Sequence, residues 1–411
     1  MKSNFKLTLL SGVAAVAATM MTTGAANATN GMLPHCVGTV KCGMGGAGSA
    51  LAGAAVDAAI NPALSGQMGN EYQVNMGWFW ANVRGESTLS AVRGEQKSAA
   101  GDFANGSFGV NYKIDDTIAV NVSLAPGGGG ASDWTNPRSN ATGFPLAGTN
   151  EDEYVQYEMM YLQPSISYKY SDTATYGVGA ILSRATMDTD SAQGSFQSSG
   201  VAGKEETFYG VGFQVGGVWQ IGAGGSAAVN LRSPVWHEKA GVYDSLVFTD
   251  PIDTPAQAQA GIAFDMNPTT KLAIDYKWVG WSTTNTIGNQ PSVQPTTSRG
   301  FGWDDQHIIM IGVQHEATDD LTVRAGVNHG NSPIDQGQVA GNFLFPAIVE
   351  THFTAGGSYK LGDGMVIGAS GYVTPEAELY DDGSQFGASG STGTHLAHQQ
   401  YGFQLSFSND F

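Results

Sequence analysis

The chain has 411 residues, of which only 13% are charged, and it carries a formal net charge of −18. No apolar run beyond the first thirty residues approaches the ~20 residues of a spanning helix, which excludes a helical membrane protein. The acidic charge excludes nucleic acid as a partner, and a hydrophobic content of 41% excludes a disordered chain. A β-rich chain with many small residues, including 57 glycines, remains.

The chain begins with a segment typical of a secretory signal peptide. Lys2 and Lys6 precede the apolar stretch Leu7–Ala18, and the tripeptide Ala26–Ala28 supplies the small residues of a cleavage site. We predict cleavage at the end of that tripeptide rather than a retained anchor, because no stop-transfer pattern follows. Residues 1–28 are therefore the predicted signal peptide, and the mature chain keeps 16 basic and 36 acidic residues.

The two cysteines, Cys36 and Cys42, lie just inside the predicted mature N-terminus. In an oxidising compartment, cysteines this close in sequence favour a local disulfide. The alternative is a metal site that also uses His35, but two sulfurs and one imidazole leave tetrahedral zinc one ligand short. We predict the disulfide, with no metal and no cofactor.

Residues 29–70 are rich in small residues and lack strand patterning. The alanine-rich stretch 47–60 predicts one or two short helices, and the following Asn61-Pro62-Ala63-Leu64 stops them. Such a non-strand segment cannot lie in lipid. It is predicted to be periplasmic or to plug the lumen of a barrel.

Gly43, Gly45 and Gly48 match the spacing of the G-x-G-x-x-G dinucleotide fingerprint. The context does not fit, because no buried strand precedes them and position 68 is Met. We expect these glycines to let the backbone pass closely inside a barrel. No nucleophile elbow or paired-histidine metal motif occurs in the sequence, so we predict no enzyme.

Period-two alternation dominates from Glu71 to Phe411, interrupted by Gly, Asn, Asp and Pro. In one predicted strand, Val120, Val122 and Leu124 alternate with small or polar neighbours. A soluble β-sandwich shows the same alternation with the apolar face inward. Periodicity alone therefore does not distinguish a sandwich from a membrane barrel.

Three features favour the barrel. The last strand ends on Phe411, which resembles the C-terminal assembly signal of outer-membrane barrels. Tryptophans fall near the ends of predicted strands, where interfacial girdles place them, and these are Trp78, Trp80, Trp219, Trp236, Trp278, Trp281 and Trp303. Short turns such as 115–116 alternate with long polar loops such as 131–152, as periplasmic turns and outer loops do.

We predict strands beginning near residues 71, 105, 117, 154, 174, 206, 225, 256, 269, 305, 320, 348, 364 and 398, which makes fourteen. An even number closes a single-chain bacterial barrel, and roughly twelve or sixteen strands remain alternatives because boundaries read from sequence are imprecise. The predicted fold class is all-β, a closed antiparallel transmembrane β-barrel over residues 71–411 in the bacterial outer membrane.

Three motifs resemble those of a known family. The first runs from Gly43 to Asn61-Pro62-Ala63-Leu64, the second from Thr254 through Tyr276-Lys277-Trp278 to Ser282, and the third from Asp320 to Val327 with Ser332-Pro333-Ile334 following. In this order and at these distances they are similar to the FadL/TodX family of outer-membrane transporters for long-chain fatty acids and aromatic hydrocarbons.

The resemblance implies a fourteen-stranded barrel plugged by an N-terminal hatch, residues 29–70, which contains Gly43, Gly45, Gly48, Asn61, Pro62 and Ala63. It also implies that an apolar solute is captured in outer loops, passes to an internal pocket and leaves sideways where the third strand kinks. Lateral release suits such a solute, because exposing it to water costs about 0.8 kcal/mol per CH₂.

In this chain the third strand runs into a proline and four glycines, namely Pro126, Gly127, Gly128, Gly129 and Gly130. Proline lacks a backbone donor, and glycines hold a strand ladder poorly. We predict that this stretch forms or borders the lateral opening, and a flexible loop base is the alternative.

For outer capture we predict the apolar loop residues Trp134, Phe144, Pro145 and Leu146, with packing inside the loop as the alternative. For the internal pocket, Arg184 matches a position that offers a cation to a carboxylate in fatty-acid transporters. It shares the outward parity of Leu182, so a bulge is needed to turn it inward.

Near strand ten, where the family leads us to expect a lysine, the chain has Trp303-Asp304-Asp305. We assign Trp303 and Asp304 to the internal pocket, where Asp304 would repel a carboxylate. An unpaired cation in a dry pocket is also costly. This departure favours an uncharged ligand such as an aromatic hydrocarbon or an alkane over a fatty acid.

The predicted function is passive transport of hydrophobic small molecules across the outer membrane. An aqueous porin for polar solutes is the alternative, which fits the acidic charge but not the plug, and a barrel enzyme or adhesin has no positive support. The predicted partners are a hydrophobic ligand, outer-membrane lipid and lipopolysaccharide. We predict a monomer, because barrel closure uses every strand edge.

Overall fold

The structure is a computed structural model that describes residues 30–90, 94–134, 154–189, 204–243, 250–290, 300–385 and 390–411. The predicted signal peptide, residues 1–28, lies outside them. Within these ranges, no helix is long and apolar enough to cross a membrane.

Fourteen long antiparallel strands among the described residues form a closed barrel. They are β1 (Glu71–Glu86), β2 (Asp102–Lys113), β3 (Ile118–Asp133), β4 (Tyr154–Ser171), β5 (Ala174–Thr189), β6 (Glu206–Ile221), β7 (Gly225–Arg232), β8 (Gln257–Asn267), β9 (Thr270–Val279), β10 (Gln306–Glu316), β11 (Leu321–Gly330), β12 (Thr351–Gly362), β13 (Met365–Val373) and β14 (His395–Asp410). Three short segments, Gln96–Lys97, Trp236–His237 and Ala377–Tyr380, extend the sheet. Each long strand pairs with the next, and β1 pairs with β14 from Glu71 opposite Asp410 to Glu86 opposite His395. The predicted fold and strand count are confirmed, and the predicted strand starts differ from the observed ones by three residues at most.

The outer face of the wall is apolar and the inner face is polar. Large apolar side chains on the outside, such as Met76, Phe213 and Leu405, are between half and two-thirds exposed. Inward positions on the same sheet hold buried amides such as Asn75 and Gln214. A soluble sandwich buries its apolar face, so this inverted arrangement is that of a membrane barrel.

The tryptophans do not all belong to the predicted girdles. Trp236 is 47% exposed on the surface, whereas Trp281 and Trp303 are fully buried and pack edge to face at 5.0 Å. Their indoles donate to side-chain oxygens, Trp281 to Gln306 at 2.8 Å and Trp303 to Asn342 at 2.7 Å. The girdle prediction for these two is wrong, because both are buried in the connection between β9 and β10 rather than exposed on the lipid face.

Residues 30–70 lie inside the barrel. They form helix α1 (Gly38–Gly43) and two 3-10 turns, Ala55–Ala59 and Pro62–Gln67. Their polar contacts reach the wall on all sides, pairing Thr39 with Ser406, Ser49 with Asp275, Ser65 with Ser167, Ala58 with Gln214 and Gly45 with Asn328. Of the two placements left open by the sequence, this is the plug, called the hatch below.

Glycine is required where the hatch touches the wall. Gly45 has a φ of +68°, and a Cβ atom there would lie 2.8 Å from the backbone of Val327 on β11. A larger residue would therefore be strained and would clash. The glycine spacing that resembles a nucleotide-binding motif thus serves close backbone packing.

Candidate functional site

The wall has a gap between β2 and β3. These strands share only six residue pairs, which end at Phe108 opposite Leu124, whereas β3 and β4 share fifteen. On the far side of the gap, contact resumes at the end of β3. There the Ala99 N–H, in the segment before β2, donates to the Asp133 carbonyl at 2.7 Å. Between these points the second half of β3 has no ladder partner on β2 among the described residues.

The stretch Pro126–Gly130 bends β3 at this gap. The register with β4 shifts between Pro126 and Gly128, and Gly128 and Gly129 have φ values of +141° and +149°. A Cβ atom on Gly129 would lie 2.2 Å from the carbonyl of Tyr157. The Gly129 N–H donates to the Met32 carbonyl at 2.8 Å, so the bent strand is attached to the hatch. The residues that we predicted for the lateral opening therefore border the gap.

An apolar cavity of about 20 Å³ lies behind the gap. Its lining includes Met32 of the hatch, Phe79 and Phe103 of the neighbouring strands, Ala131 of β3 and the loop residue Phe345. Phe79 and Phe103 stack with their ring centroids 4.8 Å apart. This lining favours an apolar or aromatic group.

A second cavity, of about 60 Å³, lies on the other side of the bend. Ala125, Pro126 and Gly127 of β3 form one side, and hatch residues 33–37 form another. Its remaining lining is mixed, with Gly46, Ala59, Ile60 and Met310 beside the polar side chains of Gln163, Asn230, Arg232, Gln257, Gln259 and Lys277. The bend of β3 therefore separates an apolar space from one of mixed lining that contains two cations, called the polar cavity below.

The two cations of the polar cavity differ in their bonding. The Arg232 guanidinium donates to the Ala59 carbonyl at 2.6 Å and to the side chains of Gln163 at 3.2 Å and Gln214 at 3.1 Å. Lys277 has no hydrogen-bond or ion-pair partner in the described part of the chain. Its ammonium group is the cation left to meet an anionic ligand.

Sequence reasoning missed Lys277 as a site residue, although the alternation of β9 contained the signal. Asp275, two residues earlier, accepts hydrogen bonds from the Gly48 and Ser49 N–H groups of the hatch, each at 2.9 Å. Since residues two apart in a strand share a face, Lys277 also points into the lumen.

The predicted capture residue Trp134 is buried rather than exposed. Its indole donates to the Phe343 carbonyl at 2.8 Å, and the two rings pack edge to face at 5.3 Å. The alternative of loop packing therefore describes this residue. Phe144, Pro145 and Leu146 lie outside the described residues.

The structure corrects the internal-pocket prediction. Pairing of β5 with β4 is continuous from Leu182 to Arg184, so no bulge turns Arg184 inward, and its half-buried side chain donates to Thr207 at 3.5 Å. Asp304 is exposed in the connection before β10, and partial burial, together with nearby Asp335 and Asp305, raises its pKa. Trp303 is buried but does not line either of the two cavities.

The hatch contains a fully buried ion pair. The Lys41 ammonium lies 3.2 Å from the Asp57 carboxylate and also donates to the Gly48 carbonyl at 2.9 Å. The same carboxylate oxygen accepts the N–H groups of Gly53 at 2.8 Å and Ala54 at 3.0 Å. The ion pair thereby joins helix α1 to the 3-10 turn Ala55–Ala59.

The predicted disulfide between Cys36 and Cys42 is confirmed. It links Cys36, two residues before α1, to Cys42, which lies within that helix. Both sulfurs are used in this bond, which leaves none for the alternative zinc site.

The two 3-10 turns of the hatch, Ala55–Ala59 and Pro62–Gln67, are joined at Asn61, one of the predicted hatch residues. Its side-chain oxygen accepts the Ala63 N–H at 3.1 Å, and its amide donates to the Ser49 carbonyl at 3.2 Å. The following Pro62 packs so closely on Gly177 of β5 that a Cβ atom there would lie 2.4 Å from the proline carbonyl carbon.

Several solved structures resemble this barrel. The P. putida toluene transporter TodX is 16% identical with a TM-score of 0.69, and the match covers 92% of this chain and 99% of TodX. A Pseudomonas aeruginosa FadL homologue is 16% identical with a TM-score of 0.65, covering 95% and 100%. The Ralstonia pickettii toluene transporter TbuX is 16% identical with a TM-score of 0.64, covering 92% and 99%. At this identity the likenesses show the fold.

No curated protein matches the chain. The model of one protein family, described as outer membrane protein transport protein (OMPP1/FadL/TodX), matches residues 20–374. Together with the plugged fourteen-stranded barrel, this match shows that the chain is an integral outer-membrane protein and belongs to the FadL/TodX family.

Proposed function

We propose that this protein lets hydrophobic small molecules cross the outer membrane passively and releases them through the gap between β2 and β3 into the bilayer. The observation that carries the proposal is the gap, with an apolar cavity directly behind it. A pore for polar solutes needs an open lumen, whereas the hatch occupies this one. Catalysis forms no part of the proposal.

The lateral route agrees with the energetics of an apolar solute. Such a molecule gains about 0.8 kcal/mol for each CH₂ that leaves water, so release into the periplasm would oppose transport. Release into lipid keeps it in an apolar environment. Apart from the gap between β2 and β3, each long strand pairs with both of its neighbours, which leaves little free edge for a second copy. We propose that the protein acts as a monomer surrounded by lipid and lipopolysaccharide.

For the substrate we propose an amphiphile with a carboxylate head, such as a long-chain fatty acid. Lys277 and Arg232 line the polar cavity, and an ammonium without a counter-ion inside the barrel is costly unless an anion joins it. The tail would then lie towards the apolar cavity beyond the bend. Our expectation of an uncharged ligand depended on Asp304, which is exposed rather than in the lumen.

A neutral aromatic hydrocarbon is the second candidate, favoured by the rings of Phe79, Phe103 and Phe345 at the gap. Neither cavity holds such a ring as it stands, because their volumes are about 60 and 20 Å³ and a benzene-binding cavity measures about 150 Å³. Either ligand therefore requires residues that line these cavities to shift, and among them are hatch residues 32–37.

Substitution of Lys277 by glutamine separates the two candidates. Loss of a charge-assisted contact in a dry site removes about 1.5–3 kcal/mol. We therefore expect uptake of labelled oleate to fall at least roughly tenfold in Lys277→Gln, while toluene uptake is unchanged. The measurement is uptake by a deletion strain that expresses each variant at equal surface level.

The matched control is Lys271→Gln, on the same strand but in an exposed pair with Asp265, and both uptakes should remain at the wild-type level. Equal effects of Lys277→Gln on both solutes, or no effect on either, would contradict the carboxylate assignment. Absence of uptake of both solutes by the wild type would instead refute the transport proposal.

A further inference from the structure

One carboxylate of the barrel wall holds the middle of the hatch. Asp275, on β9, accepts the Gly48 N–H with Oδ1 and the Ser49 N–H with Oδ2, each at 2.9 Å. Oδ2 also accepts the Gln259 amide of the neighbouring strand at 2.7 Å. Asp275 is only 1% exposed. Its charge is therefore stabilised by three hydrogen bonds, two of which come from the hatch.

The wall leaves room for this contact. Gly261 on β8 lies directly opposite Asp275, and a Cβ atom there would lie 2.5 Å from the carboxylate oxygen Oδ1. On the hatch side, the Lys41 ammonium donates to the Gly48 carbonyl at 2.9 Å. The loop of residues 48–51, called the anchor loop below, is thus held by a cation of the hatch and by an anion of the wall.

Lys277 is close to this carboxylate along the wall. It lies two residues further along β9 and shares the inward face, so the two Cα atoms are about 7 Å apart. The other cation of the polar cavity, Arg232, is on β7 and pairs with Gln257, whereas Asp275 pairs with Gly261, four residues further along β8. The Lys277 side chain is therefore the one that reaches Asp275 without a change in the wall.

The other basic groups at the polar cavity are engaged. The Arg232 guanidinium donates to the Ala59 carbonyl at 2.6 Å, and the His35 ring stacks on that of His352 with the centroids 4.7 Å apart. The positive charge of Arg232 repels the Lys277 ammonium across the cavity and increases the tendency of the ammonium to pair with an anion.

We propose that Asp275 is a positioning residue that exchanges partners when the hatch moves. While the hatch is docked, the carboxylate holds the anchor loop and Lys277 faces the polar cavity. When the anchor loop leaves the wall, the carboxylate loses two donors, and a buried carboxylate without partners is costly. The Lys277 ammonium then replaces them. The two pairings of this carboxylate correspond to two positions of the hatch.

A ligand anion shifts the balance between these pairings, a step that rests on the proposed carboxylate ligand. A carboxylate bound to Lys277 engages the ammonium and withdraws it from Asp275. Because the ligand binds best where Lys277 is available, it favours the docked hatch. A neutral solute has no such preference. The anchor loop is therefore held while an anionic head group is bound and loosens when the head group leaves.

Hydrogen exchange of the Gly48 and Ser49 N–H groups, in the full mature chain in detergent micelles, tests the exchange of partners. We expect Lys277→Met to slow it roughly tenfold, because the released hatch loses the replacement ion pair. In Asp275→Asn it should be faster than in the wild type, since a neutral amide binds the two groups more weakly. Adding Lys277→Met to that variant should change the rate less than about twofold. The control Lys271→Met, in an exposed pair with Asp265, should behave as the wild type.

Two results overturn the proposal. One is an unchanged rate in Lys277→Met, an arm that does not depend on the folding of any Asp275 variant. The other is an equal slowing by Lys277→Met in both backgrounds, because the lysine would then act without Asp275.

A ligand measurement separates this proposal from the choice of substrate. Saturating oleate should slow the exchange of the same two N–H groups in the wild type roughly tenfold, and toluene should not. If the variants behave as expected and oleate has no effect, the carboxylate ligand is wrong and the exchange of partners by Asp275 is still supported.

Discussion

Replacement of Ala131 by tryptophan is expected to stop uptake of every hydrophobic solute without unfolding the barrel. Ala131 lies on β3 next to the bend and lines the apolar cavity behind the gap, together with Phe103 and Phe345. An indole at this position fills the passage, and close-packed surroundings cannot yield around it. Uptake of oleate and of toluene should each fall at least roughly tenfold in a deletion strain.

The matched control is Val122→Trp. Val122 lies on the same strand, in its fully paired half, and is 44% exposed on the outer face. An indole there faces lipid and should leave uptake at the wild-type level. If Ala131→Trp transports as well as this control, the route does not run through the gap. If both variants lose uptake, distortion of β3 rather than a blocked passage is the cause.

Loss of the buried lysine of the hatch is expected to have the other large effect. In Lys41→Met the Asp57 carboxylate keeps its two backbone donors but loses its counter-ion, with both side chains fully buried. Removing one partner of a buried pair costs about 3–5 kcal/mol. We expect local unfolding of residues 38–60, seen as at least roughly a hundredfold faster hydrogen exchange there, and a larger single-channel current.

Two further variants control this result. Lys169→Met removes a cation from an exposed pair with Asp172 and should change neither measurement, because surface pairs contribute little. The double variant Lys41→Met/Asp57→Leu leaves no unpaired charge and should regain most of the protection. Wild-type exchange and current in Lys41→Met would show that the ion pair does not hold the hatch together.

The strands of the barrel could be predicted from the sequence because the alternation of apolar and polar residues that marks them is local. A side chain two residues along a strand returns to the same face, so each apolar run marked a lipid-facing surface wherever its partner strands lay. The same alternation placed Arg184 outward beside Leu182, and the continuous pairing of β5 shows that this parity was the better guide. Family likeness had suggested an inward position instead.

The side-chain directions in the connections between strands could not be predicted in this way. Trp281 and Trp303 follow or precede strands just as girdle residues do, yet they are buried and pack on each other. Asp304 is the neighbour of Trp303 in sequence but is exposed. A connection has no fixed period, so the direction of its side chains depends on contacts with distant segments.

The sequence by itself determined the small-residue hatch, the fourteen alternating strands and the proline–glycine stretch in the third of them, because each is set by neighbouring residues. Only the tertiary structure decided that the ladder between β2 and β3 stops at Phe108 and Leu124, that Lys277 meets Arg232 at one cavity, and that His35 stacks on His352. These contacts join residues far apart in the chain. They exist because closure of the barrel brings the hatch and all fourteen strands around one lumen.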